Sequence, residues 1–473
     1  MATKLVLVGL ATDGPKNTVV KVESLNQLNK LFGGFYKERF NVSQTATSLT
    51  LGYNPWNGPA NSLNGKANKL YKPTVSGNIL TFGSVGGSAS AVIDLEYPPY
   101  LGQQDLLVAA KHYIEQTNSF PYVMRVGGTY ASYEVAGWTF QAMYPGAKYN
   151  KLSLTCNGTS IVVSGLEPYL EATTITGDAS IIGKRIDRLR ELGVLPLYLT
   201  VAGSALTSFA VTLSGGTDGS FSDSDFTECL ETVDFPGDST HVLVLSPMTS
   251  GKVQTISEYL DYPTRAPKFF VAPVTGFTAP TSSFITQYRT ILPWRLNMLG
   301  LVLGDMNCSI NNRDTTRYAA ENVMLAFDSK GGYNLTNLKV DGWSYSPLLE
   351  KEELDDLKAA GFNAITRYIQ NDLAVYQGTT STADWSYLFS SKVAEVHAIC
   401  YSICIGYIGT YVAEGAHPEL RERIRLALSA VSYLSVDYVD VQVTNSTMFV
   451  EVAGYLPDEI LNIRFSIKNK PSI

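Results

Sequence analysis

The sequence predicts a multi-domain protein that combines an α/β core with β-rich insertions and an α+β C-terminal domain. Its 473 residues exceed the size at which one hydrophobic core keeps growing, so several domains are expected. From Asp223 onwards, helical and strand patterns alternate strictly, which is typical of a parallel or mixed sheet covered by helices. Residues 41–99 and 131–214 instead favour short strands, and turn-forming residues dominate the first of these stretches.

These changes of pattern divide the chain into six segments. In chain order they are residues 1–40, an N-terminal strand and helix of the core; 41–99, a β-rich insertion; 100–130, a helix and strand that return to the core; 131–214, a β-rich domain; 215–345, an α/β domain; and 346–473, a C-terminal α+β domain with a terminal strand arm.

The elements of the N-terminal half follow from the spacing of their apolar residues. The run Leu5–Val8 ends at a glycine and predicts a strand, which the turn Gly9–Pro15 follows. The other predicted elements are a helix at Ser24–Leu31, a helix at Asp105–Glu115, a strand at Tyr122–Val126, strand pieces at Leu152–Leu154 and Ser160–Val163, and a helix at Ala179–Leu192.

The alternating region after residue 223 predicts four helices and three strands. The helices are Asp225–Thr232, Lys252–Leu260, Ser283–Leu292 and Thr315–Phe327, and the strands are His241–Leu245, Lys268–Ala272 and Met298–Leu303.

The C-terminal segment begins with a charged helix, Glu350–Ala360, which Gly361 ends. An apolar helix near Val393–Ala413 follows; its uncharged part is shorter than the ~20 residues that span a bilayer, so a buried helix is expected. The last predicted elements are an amphipathic helix at 419–434, with Leu420, Ile424, Leu428 and Val431 on one face, and two alternating strands at 448–452 and 461–467.

Composition and charge disfavour direct nucleic-acid binding. The net charge is −7 and no run of five Lys or Arg residues occurs, whereas nucleic acids need clustered cations. With 17% charged residues and 28 Tyr, much of the surface suits protein–protein contact, although a large enzyme would give a similar composition. The five cysteines are odd in number and scattered, so a reducing compartment is expected, with Cys400 and Cys404 packed in a core.

A search for catalytic or cofactor motifs gives no convincing site, and neither a cofactor nor a metal is expected. Gly9 and Gly14 have the spacing of a phosphate loop, but Pro15 stands where the loop needs its lysine. The four histidines, His112, His241, His397 and His417, are interpreted as packed or hydrogen-bonded residues. The acidic residues at 350–356 are interpreted as a solvated helix face.

Six short motifs, in one order along nearly the whole chain, resemble those of the contractile tail sheath family of phages, pyocin-type particles and other contractile injection systems. They are the turn Gly9–Pro15 with Leu31–Gly34, the helix and strand 105–126 ending in Arg125-Val126, Tyr144-Pro145-Gly146 with Asn150, the turn Leu213–Gly219, Ala360–Asn363 after an acidic helix, and Pro457–Ile460 before the last strand.

The resemblance implies a structural protein and not an enzyme, with a subtilase-like α/β core that lacks catalytic residues. It implies hexameric rings stacked helically around a tail tube, and contraction that drives the tube through a host envelope without nucleotide hydrolysis. The implied partners are further copies of the chain, the tail tube protein, and baseplate and tail terminator or neck proteins, without membrane insertion. The implied location is the tail of a phage virion assembled in the host cytoplasm, where contraction serves genome ejection.

Two sets of residues are candidates for these contacts. Strands that link subunits are expected at the two ends of the chain, formed by Leu5, Val6, Leu7 and Val8 and by Leu461, Ile463, Phe465 and Ile467. Candidates for the tube-facing surface are Arg421, Glu422 and Arg425 on the amphipathic helix. The alternatives are an α/β enzyme of unknown substrate, another self-assembling tail component, and a terminal strand that pairs within its own subunit.

Overall fold

The structure, a computed structural model, describes most of the chain. The described residues are 5–33, 36–43, 45–52, 64–65, 74–83, 91–97, 105–166, 170–201, 203, 205–236, 239, 241–261, 265, 268–275, 277, 280–294, 296, 298–303, 320–321, 323–325, 349–368, 372–376, 378, 381, 391–407, 415–432, 434–444, 447–456 and 459–468.

A seven-stranded sheet lies at the centre of the α/β core. Its strands, in spatial order, are β2 (Val19–Lys21), β9 (Tyr122–Arg125), β1 (Leu5–Gly9), β17 (His241–Val244), β18 (Phe269–Val274), β19 (Leu299–Leu303) and β20 (Phe362–Asn363). All neighbours are parallel except β2, which runs antiparallel to β9. Most of these strands are continuous apolar runs because both faces of a parallel sheet are covered.

Helices cover both faces of this sheet and form two cores. Leu5 and Leu7 of β1 face α1 (Leu25–Phe32) and α2 (Asp105–Thr117), whereas Val6 and Val8 face the other side. The helices of that second core are α4 (Asp223–Thr232), α5 (Ser250–Leu260), α6 (Thr281–Ile291) and α7 (Lys351–Ala359). The core is therefore a three-layer α/β/α sandwich.

The β-rich insertion forms two small antiparallel sheets around Val42, Leu80, Ile93 and Leu95. One sheet has the order β3 (Tyr36–Val42), β8 (Ala91–Tyr97), β5 (Asn64–Gly65), and the other has the order β4 (Ser48–Thr50), β7 (Ile79–Thr81), β6 (Thr74–Ser76). Arg39 on β3 joins the insertion to the β-rich domain through a 3.1 Å ion pair with Glu171.

The β-rich domain contains two antiparallel sheets and one helix, α3 (Ala179–Glu191). Trp138, Phe140 and Ile182 lie in its core. One sheet consists of β10 (Ser132–Val135), β11 (Trp138–Ala142) and β15 (Leu197–Val201), and the other consists of β14 (Thr173–Thr176), β13 (Ser160–Ser164), β12 (Ser153–Asn157) and β16 (Ser208–Thr212).

The C-terminal part packs two helices, α8 (Ser391–Cys404) and α9 (Pro418–Ser429), against one face of a four-stranded sheet. The sheet order is β23 (Gly415–Ala416), β24 (Ser435–Thr444), β25 (Thr447–Leu456) and β26 (Glu459–Lys468). A separate hairpin precedes it, formed by β21 (Ile365–Tyr368) and β22 (Asp372–Val375).

Most predicted elements are present, with ends that differ by a few residues, and three differences stand out. The sequence predicted two C-terminal strands, but β24 precedes them as a third long strand. The apolar α-helix ends at Cys404, where a short 3-10 turn over Ile405–Tyr407 replaces it, and residues 408–414 lie outside the described part. Most of the predicted helix Thr315–Phe327 also lies outside, although residues 323–325 are helical.

Candidate functional site

The carboxyl end of the central sheet is where an α/β protein of this topology usually holds a ligand. From β1 the connections lead to β9 on one side and to β17 through β20 on the other, so the strand order reverses between β1 and β17. The segments that leave the carboxyl ends of β1 and β9 carry Thr12, Asp13 and Arg125. These polar residues are therefore the first candidates for a binding or reacting centre.

Arg125, the last residue of β9, is fully buried at this end of the sheet. Its guanidinium donates hydrogen bonds to the carbonyl oxygens of Gly14 at 3.3 Å, Pro145 at 2.7 Å and Asp218 at 3.4 Å. A guanidinium presents its donors in a fixed planar fork, and here the fork is directed at backbone of the same chain. The protein itself therefore fills this part of the crevice.

Asp13 lies beside Arg125 and is also occupied by groups of the chain. Its carboxylate forms an ion pair with Lys148, accepts the Tyr149 hydroxyl at 2.8 Å, and accepts the Gly14 N–H at 3.0 Å. Burial, and then the neighbouring Asp13 carboxylate, raise the pKa of Tyr149 well above its ordinary value, so the hydroxyl stays protonated and donates. With three donors already bound, Asp13 is poorly placed to act as a general base.

The turn at residues 9–15 leads into a contact with helix α4. Lys16 forms a 2.8 Å ion pair with Glu228, and the Asn17 side chain also donates to this carboxylate at 3.3 Å. In a phosphate loop the lysine instead reaches the β- and γ-phosphates. This lysine therefore joins β1 and β2 to the helix layer.

The histidines lie in separate places. His112 on α2 contacts the carboxylate of Glu321, a pairing that sequence spacing did not reveal because 209 residues separate the two. Burial lowers the pKa of His241 to about 3 and that of His397 to about 4, so both are neutral near pH 7. Among the described residues, no three His, Cys, Asp or Glu side chains form a group that could hold a metal ion.

The cysteines of the described part are buried free thiols. Cys400 and Cys404 lie in the C-terminal core, which confirms the predicted packing, whereas Cys308 lies outside the described residues. Burial raises the pKa of Cys229 and Cys400 far above the ordinary value and that of Cys404 to about 12. Because the thiolate is the reactive form, these thiols are poor nucleophiles.

The acidic helix α7 is only partly a solvated face. Glu353 accepts a hydrogen bond from Thr281 at 3.1 Å, and Asp355 accepts one from the Tyr376 hydroxyl at 2.8 Å. These two carboxylates therefore join α7 to α6 and to the segment after β22. No helix in the described part of the chain has both the length and the hydropathy of a membrane span.

The candidate tube-facing residues all lie on the exposed side of α9. Leu420, Ile424 and Leu428 point into the C-terminal core, and Arg421, Glu422 and Arg425 are exposed. The Arg425 guanidinium donates to both Glu422 oxygens, at 2.6 and 2.8 Å, and these hydrogen bonds lower the pKa of Glu422. The exposed side of α9 therefore carries charged side chains, two of which are held together by hydrogen bonds.

The two predicted linking strands occupy different positions. β26 lies at the edge of the C-terminal sheet and pairs over its whole length with β25 of its own chain, the alternative considered above. β1 lies inside the central sheet, where Leu5–Val8 are buried and pair with β9 on one side and β17 on the other. Both edges of β1 are therefore paired with strands of the same chain, whereas β26 is the last strand of its sheet among the described residues. A linking role for residues 5–8 stays a prediction.

Comparison with known proteins decides which fold this is. No family model and no curated protein matches the chain, but solved structures do. A sheath tail protein from Listeria innocua aligns with a TM-score of 0.51 at 13% identity, over 99% of this chain and 96% of that one. This chain has the fold of a tail sheath protein. The mixed α/β, multi-domain prediction and the predicted resemblance to contractile tail sheaths are thus confirmed.

Two further sheath structures are similar over nearly the full chain. A sheath tail protein from Desulfitobacterium hafniense has 14% identity and a TM-score of 0.47, over 99% of this chain and 97% of that one. The helical sheath of the anti-feeding prophage in its contracted state has 9% identity and a TM-score of 0.38, over 100% of this chain and 91% of that one.

The sequence did not reveal the function of Arg125 within this sheath fold. The sequence places it at the end of a strand, in the pair Arg-Val, whereas its contacts include residues 20 and 93 positions further along the chain. A local signal was present, since a single cation ends an apolar strand and Gly127-Gly128 follows it. A buried charge of this kind requires partners, and the two glycines allow other backbone segments to approach.

Proposed function

We propose that this chain is the repeating structural subunit of a contractile tail sheath. In this proposal, copies form hexameric rings that stack helically around a tail tube, and their rearrangement drives the tube through a host envelope. The observation that carries the proposal is the sheath tail protein fold, which extends over 99% of the chain. The corresponding partners are the tube, the baseplate and the terminator at the neck, and the location is the tail of a virion or of a related injection particle.

We propose a non-enzymatic role for the α/β core. The arrangement of the core supports this role, since the carboxyl end of its sheet holds Arg125 and Asp13 bound to the chain's own groups. A parallel sheet with helices on both faces is also compatible with a subtilase-like ancestry from which the catalytic residues are missing. Contraction without nucleotide then requires that assembly stores the energy in a subunit interface with two stable arrangements.

The edge of β26 is the proposed link between subunits. Ten residues, Glu459–Lys468, form this strand, and within the described part of the chain its only paired edge is the one beside β25. The outer edge leaves backbone N–H and C=O groups for a strand of a neighbouring copy, each hydrogen bond contributing ~0.5–1.5 kcal/mol net. Exchange of β26 itself would also preserve its pairing, because the same register would form with β25 of the neighbour.

Removal of the strand tests the link. We expect a chain that lacks residues 459–473 to remain folded in its α/β core and to form no tubes. Negative-stain electron microscopy and sedimentation of the purified protein would measure this. Tubes of ordinary length from the deleted chain would contradict the proposed link, and closed shells or unrelated fibres from the full chain would instead indicate another kind of tail component.

A second variant separates assembly from local folding. Ile463 and Phe465 are in register with the buried residues Val452 and Val450, so these two positions are left unchanged. Asn462 and Ser466 are in register with residues of the other face, Ala453 and Phe449. We expect Asn462→Lys with Ser466→Lys to preserve thermal stability and to reduce tube length, since lysines at an edge strand oppose further pairing.

Charge reversal tests the tube contact of α9. We propose that Arg421 and Arg425 face the tube, and their exposure supports this. The double variant to Glu is expected to abolish co-sedimentation with tubes while self-assembly continues. Lys184→Glu with Arg188→Glu on exposed positions of α3 is the matched control and should bind normally. Equal tube binding by both variants would remove α9 from the contact.

A further inference from the structure

Four segments of the chain converge where the β-rich domain meets the α/β core. They are the turn after β1, the segment after β9, the loop that precedes β12, and the turn that follows β16. Arg125 binds carbonyl oxygens of three of these segments, at Gly14, Pro145 and Asp218.

Further hydrogen bonds close the junction around the guanidinium. Asn150 donates to the Gly216 carbonyl at 2.9 Å and accepts the Gly216 N–H at 2.8 Å. Asp218 accepts the Ala147 N–H at 3.0 Å, and Thr129 bridges to Thr217 through backbone bonds in both directions. The segments are therefore held by paired contacts, and each loop is bound at more than one point.

The glycines of this junction leave no room for side chains. A β-carbon on Gly219 would lie 2.4 Å from the Gly128 nitrogen, and one on Gly216 would lie 2.5 Å from the Gly146 oxygen. Both contacts are with backbone, which cannot move aside as a side chain can. The turn after β16 therefore lies directly against the segment after β9 and against the loop that precedes β12.

We propose that Arg125 acts as an internal ligand, which occupies the crevice at the carboxyl end of the sheet and locks the β-rich domain and the α/β core into one rigid body. Burial of a cation raises the free energy of the folded state unless its donors are hydrogen-bonded. If the loops moved away from Arg125, its guanidinium would be left in an apolar environment or water would have to enter. Arg125 is accordingly a positioning residue. This proposal depends on the fold and goes beyond the sheath role.

A distance measurement on the unassembled full-length chain tests the lock. Spin labels placed through Lys184→Cys on α3 and Glu258→Cys on α5 lie on exposed positions of the two domains. The parent protein should give a single narrow distance distribution, and Arg125→Met should broaden it. Arg265→Met is the matched control, because Arg265 also donates to two carbonyl oxygens, of Leu230 and Glu231, but inside the core.

Hydrogen exchange provides a second readout that a general loss of stability would not reproduce. In Arg125→Met the amides of Thr129, Ala147 and Gly216 should exchange roughly tenfold faster or more, while those of β12 and β13 keep their rates. A narrow distribution with unchanged exchange in folded Arg125→Met would overturn the proposal, as would equal broadening in Arg265→Met. If Arg125→Met does not fold, Arg125→Lys replaces it, because a single ammonium lacks the planar fork of donors, and the same two outcomes decide.

The rigid junction at Arg125 and the sheath role are tested by independent measurements. The distance measurement needs no tubes, so an unlocked junction would leave the sheath role untouched. A chain that forms no sheath would likewise leave the narrow distance distribution as expected.

Discussion

Gly165 and Lys151 approach each other more closely than any side chain would allow. A β-carbon on Gly165 would lie 1.9 Å from the Lys151 carbonyl oxygen, and Gly165 has a φ of +94°. The contact lies where the end of β13 meets the start of β12, in the four-stranded sheet of the β-rich domain. Glycine suits this position for two reasons: the backbone is left-handed, and a carbonyl group lies where a side chain would be.

Gly165→Ala is expected to lower the free energy of unfolding by roughly 4 kcal/mol or more, because backbone must move to admit the methyl group. Gly137→Ala is the matched control. It has a φ of +79° but nothing within 4 Å of the added carbon, so only the left-handed cost of ~1–2 kcal/mol applies. Urea unfolding followed by tryptophan fluorescence would measure both, and equal losses would contradict the steric explanation.

The sequence predicted the central sheet well because its strands are short apolar runs with clear ends. Leu5–Val8 and Met298–Leu303 could hardly form anything but buried strands, and helical spacing in between fixed the alternation. The sequence did not predict β24. Val439, Val441 and Val443 alternate with polar residues, as in a strand, but Asp437 and Asp440 lower the apolar character of the segment. The missed strand is half-exposed, and in such strands periodicity carries more information than hydropathy.

Where the candidate strands lie within their sheets could not be predicted from the sequence, for a physical reason. Whether a strand is central or at an edge depends on the order of strands in space, which residues 5–8 do not encode locally. The Arg125 contacts likewise depend on loops that meet only after both domains fold. By contrast, the exposed position of Arg421 and Arg425 could be predicted, because the apolar stripe of α9 fixes which side faces the core.

Two aliphatic residues on α9 should differ in how much their truncation destabilises the protein. Ile424 is fully buried against β24, whereas Leu426 is 56% exposed. We expect Ile424→Ala to cost about 2–5 kcal/mol through lost burial and the cavity left behind. Leu426→Ala should stay within about 0.5 kcal/mol of the parent.

Chemical denaturation that reports on the C-terminal part, for example through hydrogen exchange of β24 and β25, would measure both variants. A costly Leu426→Ala in the unassembled chain would show that α9 packs differently. If that variant is stable and yet binds tubes weakly, Leu426 belongs to the contact surface together with Arg421.

Acidification should destabilise the protein through two buried histidines. In the folded state the pKa is lowered to about 3 for His241 and to about 4 for His397, from an ordinary 6.5, because burial penalises the charged form. The unfolded chain thus binds these protons first. The stabilisation is fully present above pH 6.5 and is lost as the pH falls toward the folded values, at up to ~1.4 kcal/mol per pH unit for each histidine.

Urea unfolding at several values between about pH 6.5 and pH 5 would measure this slope. The His397→Gln variant should take up about one proton fewer when it unfolds. The slope of the free energy of unfolding against pH should therefore be smaller, even if the variant is less stable at neutral pH. Val441→Ala, in the same core, is the control: it removes buried volume but no titratable group, so it should lower the stability without changing the slope. An unaltered slope in His397→Gln would mean that this histidine is already accessible to protons in the folded protein, which would contradict its burial inside the C-terminal core.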